Sequence, residues 1–193
     1  SRLQVPHMTD VQDVEAPVRE DHDPVQGAKS GPIVMKRLQG VGVSPAIDAL
    51  DRLTTEFPKS GPKDRDAIVQ GLSKCFEAKR QETAEGVPDN QLYIATAVAL
   101  RTMAPESAKV LLKWLDARDH KKDIALQEKL IQSLGKTKDE GGRKAILKLL
   151  DHHEKRIVAA ASEALGEYGG AEQKLRKETF EELLKTLMSA KNQ

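Results

Sequence analysis

From about Ser44 onward, apolar residues recur with a helical period and are broken by short polar stretches every dozen or so positions. Ile157, Ala161, Ala164, Leu165 and Tyr168 show the pattern best, falling at i, i+4, i+7, i+8 and i+11. That spacing draws one apolar stripe along a helix, and Gly169-Gly170 then supplies a stop. The same reading predicts helices over 44–56, 63–79, 90–103, 105–117, 121–134, 139–151, 154–168 and 172–189. No segment alternates with period two, so the expected class is all-α.

The stripes repeat. Ala164-Leu165 matches Ser133-Leu134 and Ala99-Leu100, and eight positions before each leucine stands another apolar residue: Ile157, Leu126 and Leu92. The intervening helices repeat as well. Val110-Leu111-Leu112-Lys113-Trp114-Leu115-Asp116 aligns with Ala145-Ile146-Leu147-Lys148-Leu149-Leu150-Asp151, and more loosely with Leu183-Leu184-Lys185-Thr186-Leu187. Self-similarity at a period of a few tens of residues is the mark of a solenoid, because one helix pair cannot bury both of its apolar faces and must stack on a neighbour. All three leucines, Leu100, Leu134 and Leu165, are therefore expected between helices.

Residues 1–31 lack this pattern. They carry Pro6, Pro17 and Pro24, scattered acids from Asp10 to Asp23, and no sustained apolar period. The expected division is an extended polar tail over 1–31 and a helical solenoid over 32–193. Such a tail is expected to order on a partner chain, with the solenoid surface providing a second contact. The start at Ser1 reads either as a mature end left by export or, given Pro6-His7-Met8, as a cloning junction before a native start at Met8.

Composition narrows the chemistry. Charged residues make up 32% of the 193, yet the net charge is only +1, so no global field favours nucleic acid or anionic lipid. No run of about 18 apolar residues is present to cross a membrane. The one cysteine, Cys75, sits in a helical segment and reads as a buried structural thiol.

Residues 149–169, from Leu149-Leu150-Asp151-His152-His153-Glu154 through Ala159-Ala160-Ala161-Ser162-Glu163-Ala164-Leu165-Gly166, resemble the bacterial HEAT repeat of the phycobilisome-lyase type. The resemblance is closest over 139–170, thinner over 90–138, and does not reach the tail. It implies a right-handed α-solenoid of about four HEAT-like pairs. It also implies a concave side lined by the second helix of each pair, here 90–103, 121–134 and 154–168. The family's helix-opening arginine is replaced by Tyr93, Gln127 and Val158, so apolar packing is expected to carry the interfaces in its place.

No catalytic motif emerges, and the expectation is a chain that is not an enzyme. His152-His153 is the only histidine cluster and lacks a third ligand at zinc spacing, so it reads as a solvated turn. Trp114 occupies a slot that is Leu149 one repeat later and reads as packing. Trp114, Asp116 and Arg118 have the residue types of HEAT-like DNA glycosylases, but one helix offers no opposing wall for a base. The expected role is a non-catalytic scaffold or assembly subunit that binds a protein partner. No cofactor, small-molecule substrate or nucleic acid is expected. A bilin-lyase-like enzyme or chaperone subunit is the alternative, and a nucleic-acid module a weaker one. The solvent-facing positions expected to meet the partner are Tyr93, Arg101, Glu128, Gln132, Ala159 and Glu163.

Overall fold

A computed structural model describes residues 43–80, 89–171 and 173–190. The expected tail, and the stretch 32–42 that was assigned to the solenoid, lie outside them. The described residues form eight α-helices and no strand: α1 (Val43–Glu56), α2 (Pro62–Ser73), α3 (Gln91–Thr102), α4 (Ala108–Leu115), α5 (Ile124–Thr137), α6 (Glu140–Leu147), α7 (Lys155–Gly166) and α8 (Gln173–Ala190). Short 3-10 turns prolong α1, α2, α6 and α7. Each expected helix is present, with ends displaced by a few residues.

Local chemistry explains three of the starts. The Asp123 carboxylate accepts the Leu126 N–H at 3.0 Å, and Asp139 accepts that of Gly142 at 2.9 Å. Both are N-caps that satisfy an otherwise unpaired helical donor, so α5 and α6 start just after an aspartate. Pro62 opens α2, where its missing N–H costs nothing.

The helices stack in two layers. In one layer α1, α3, α5 and α7 lie side by side; in the other α2, α4, α6 and α8 do. This is the arrangement of an α-solenoid, with α2–α3, α4–α5 and α6–α7 as full pairs and α1 and α8 at the flanks. Leu100, Leu134 and Leu165 are all within 1% of full burial, as the repeat requires. The stripe that ends in Tyr168 is wholly interior, and the tyrosine hydroxyl donates to the Asp139 carbonyl at 2.7 Å, tying α7's end to the start of α6.

The two layers differ in tightness. Contacts along α3–α5–α7 are far more extensive than those along α4–α6–α8. Small residues are the cause: Ala97, Gly135, Ala161 and Ala164 let the backbones of the first layer approach closely. The stack is pinched on that side and splayed on the other. At the closest point, a Cβ added to Gly135 would stand 2.8 Å from the Cα, Cβ and O of Ala164. This explains why α5 runs through Gly135 to Thr137, past the expected end at 134. The glycine serves the neighbouring helix, and the chain turns only at Lys138, which takes the left-handed conformation at φ 53°.

Gly135→Ala is therefore expected to destabilise the fold by about 1–3 kcal/mol through overpacking. That loss outweighs the gain of about 1 kcal/mol in helix propensity. Urea unfolding measures it, and a stabilised variant would contradict the close approach.

Candidate interaction surface

The exposed side of the pinched layer carries most of the positions expected to meet a partner. Glu128 and Gln132 lie one turn apart on α5, facing α7. Arg156 clamps Glu128 with two bonds of 2.9 and 2.7 Å, and Gln132 donates to Glu163 at 3.0 Å. Lys136 and Glu167 continue the series one turn further. The structure thus brings Glu128, Gln132 and Glu163 together, but as rungs between neighbouring repeats. Being exposed, each rung is worth at most about 1 kcal/mol. Ala159 is exposed on α7.

Tyr93 is a correction. It was expected to face solvent, yet it is only 5% exposed, and its hydroxyl donates to the Ala78 carbonyl. Rotating the α3 stripe by one position puts the ring in the core, where it meets Phe76 edge-on at 5.7 Å. Gln127, in the same repeat slot, is buried as well, and its amide donates to the Leu115 carbonyl at 3.3 Å. So in two repeats the slot that holds arginine in the resembled family still ties the second helix to the end of the first, by a neutral hydrogen bond. Apolar packing is not the sole link.

Arg101 remains exposed near the end of α3, and Val98, three residues earlier, is 46% exposed. This is one of only four large apolar side chains so open among the described residues. The other three, Phe180, Leu184 and Met188, form a single i, i+4, i+8 stripe on α8. Sequence reasoning did not single out either feature.

It also missed a polar cluster at the loop edge. Arg80, after α2, bonds Asp123 at 2.7 Å and the Nδ1 of His120 at 3.0 Å. Asn90 donates to the same carboxylate at 3.1 and 3.2 Å. The guanidinium lies 4.3 Å over the Tyr93 ring, a cation–π contact. His120 completes an aromatic group with Phe76, Tyr93 and Trp114, whose indole N–H donates to Ser73 Oγ at 2.8 Å. The cluster joins the loop after α2 to the loop before α5 and so fixes one repeat against the next.

A guanidinium can only donate, so His120 Nδ1 must be its unprotonated acceptor. Burial first, and then Arg80, hold the imidazole below its ordinary pKa of 6.5, against the opposing pull of Asp119 and Asp123. The folded chain resists a proton that the unfolded chain accepts. The contribution of this site to stability is therefore full above pH 6.5 and is lost as pH falls below it. Denaturant midpoints at pH 7.5 and 5.5 should differ, and His120→Gln should shrink that difference. An unchanged difference would remove His120 from the account.

Cys75 is buried, and burial raises its thiol pKa to about 11, so it carries no thiolate at neutral pH. His152 and His153 stack at 4.3 Å, with His152 Nδ1 accepting the Glu154 N–H. That bond shapes the turn before α7.

On the splayed side a groove of about 820 Å³ opens between α4 and α6. Its floor is Leu112, Leu115, Ala145, Leu149 and Ile157, and its rim carries Lys113, Lys121, Lys148, His152 and Asp116. None of the described helices is long and apolar enough to cross a membrane.

Residues 108–186, from the start of α4 into α8, match the family model for HEAT repeats. The match covers the pairs α4–α5 and α6–α7 and does not extend to the phycobilisome-lyase type. No curated protein and no solved structure matches the chain.

Proposed function

We propose that this α-solenoid, whose residues 108–186 carry HEAT repeats, is a non-catalytic interaction subunit that binds a protein partner on the exposed face of α3, α5 and α7. HEAT repeats commonly mediate protein–protein interaction, since stacked helices present an extended, rigid surface. The observation that carries this reading is the open pair Val98 and Arg101 beside the paired ridge. Arginine is enriched at interface centres and Val98 adds an open apolar contact beside it, whereas Glu128 is already held by Arg156 and Gln132 by Glu163, which suits a polar rim. Gln132 and Glu163 can turn to a partner at little cost, because exposed rungs hold little energy. Of bilin attachment, nothing in the described residues gives support beyond the repeat likeness.

The test is recovery of partners on the full chain from its native source, with wild type compared against Val98→Asp and Arg101→Glu. Both variants should keep the wild-type unfolding midpoint, being surface changes worth within about 0.5 kcal/mol. A partner bound at this face should lose tenfold or more in affinity, which is about 1.4 kcal/mol. Unchanged recovery with both variants would move the binding site elsewhere.

A further inference from the structure

The groove between α4 and α6 is a consequence of the fold's asymmetry. Because Gly135 and Ala164 draw α5 and α7 together, the paired helices on the other side stand apart, and the gap keeps an aliphatic floor. Lys113 and Lys148 occupy the same slot in consecutive repeats, so the groove receives one lysine from each wall, with Lys121 at its end. Lys113 faces Glu77 at 3.7 Å and Lys121 faces Asp116 at 3.0 Å, but all four side chains are more than half exposed, so these pairs are readily exchanged. An apolar trough with cations on its rim calls for an acidic segment carrying small aliphatic side chains.

The chain contains such a segment. Residues 10–23 read Asp10-Val11-Gln12-Asp13-Val14-Glu15-Ala16-Pro17-Val18-Arg19-Glu20-Asp21-His22-Asp23, with six carboxylates against one arginine and three valines at intervals of three and four. Nineteen residues separate Asp23 from Val43, where α1 begins. Extended chain spans about 3.3 Å per residue, so the tether reaches roughly 60 Å. The groove lies two helices along the stack from α1, and packed helices stand about 10 Å apart, which is well within that reach. A tether of this kind raises the local concentration to about millimolar, so even a weak contact is occupied.

We infer that residues 10–23 dock in cis into the α4–α6 groove, with Val11, Val14 or Val18 on the Leu112–Ala145–Leu149 floor and the carboxylates on Lys113, Lys121 and Lys148. This contact is on the opposite layer from the Val98–Arg101 face, so the two succeed or fail independently.

The test uses the full chain with Ala16→Cys carrying a nitroxide. Buried Cys75, with its raised thiol pKa, stays unlabelled. Paramagnetic broadening should erase the amide signals of Leu112, Ala145 and Leu149 and spare Gln132 and Glu163. Lys113→Glu with Lys148→Glu should restore those signals, and Asp13→Lys with Glu15→Lys in that background should erase them again. High salt should weaken the broadening. Four results would overturn the inference: no broadening of the groove, broadening at Phe180, Leu184 and Met188 instead, insensitivity to both charge swaps, or broadening that appears only between labelled and unlabelled copies.

Discussion

Leu165→Ala is expected to lower stability by about 2–5 kcal/mol, the range for deleting a buried leucine side chain. Leu165 is 1% exposed, and it sits on α7 beside the contact with Gly135, where the backbones cannot move inward to fill the space. The cavity should therefore persist, placing the loss toward the upper end. For a chain of this length each kcal/mol shifts the thermal midpoint by about 2–4 °C, so the effect is large in any unfolding experiment. Because each repeat in a solenoid leans only on its neighbours, the transition should also broaden, with α7 and α8 melting ahead of α1 to α4. Hydrogen exchange on the variant would show that order. A loss under about 0.5 kcal/mol would mean that the repeat register is wrong.

Asp123→Ala is expected to cost about 2–4 kcal/mol, although the residue contributes almost nothing to the apolar core. Its carboxylate accepts from Arg80, Asn90 and the Leu126 backbone at once. Removing it uncaps α5, at about 0.5–2 kcal/mol, and strands a guanidinium whose side chain is only 18% exposed. Asp123→Asn keeps an acceptor for the cap and loses only the charge, so it should cost less. Arg80→Ala in the Asp123→Ala background should then cost little more, since the two share one interaction. Additive losses would show that the loops are held by something else.

The helices and their repeat were legible because each depends on local sequence. An apolar residue every three or four positions defines a helix face wherever it occurs, and the match between Leu165, Leu134 and Leu100 defines the stacking. Tyr93 was misplaced for a related reason. Periodicity fixes a helix's rotation only to within a residue, and one residue is 100°, enough to carry a ring from solvent into the core. His120, Arg80 and Asn90 were invisible as a group because His120 stands 40 residues and a change of repeat away from Arg80, with Asn90 between them. No local rule joins a loop histidine to an arginine in the loop of another repeat.

Gly135 marks the boundary most clearly. By itself a glycine is a common helix stop, and the expected helix ended one residue before it. What the sequence determined on its own was the class, the eight helices of the described residues, most of the residues that line their buried faces and the near-balance of charge. Those follow from short-range periodicity and composition, which no folding is needed to see. The close approach of α5 to α7, the ridge of paired side chains across it and the lysine-rimmed groove on the other layer were decided only by tertiary structure. Each depends on the distance between helices some 30 residues apart, and that distance is set by which small residues happen to face one another.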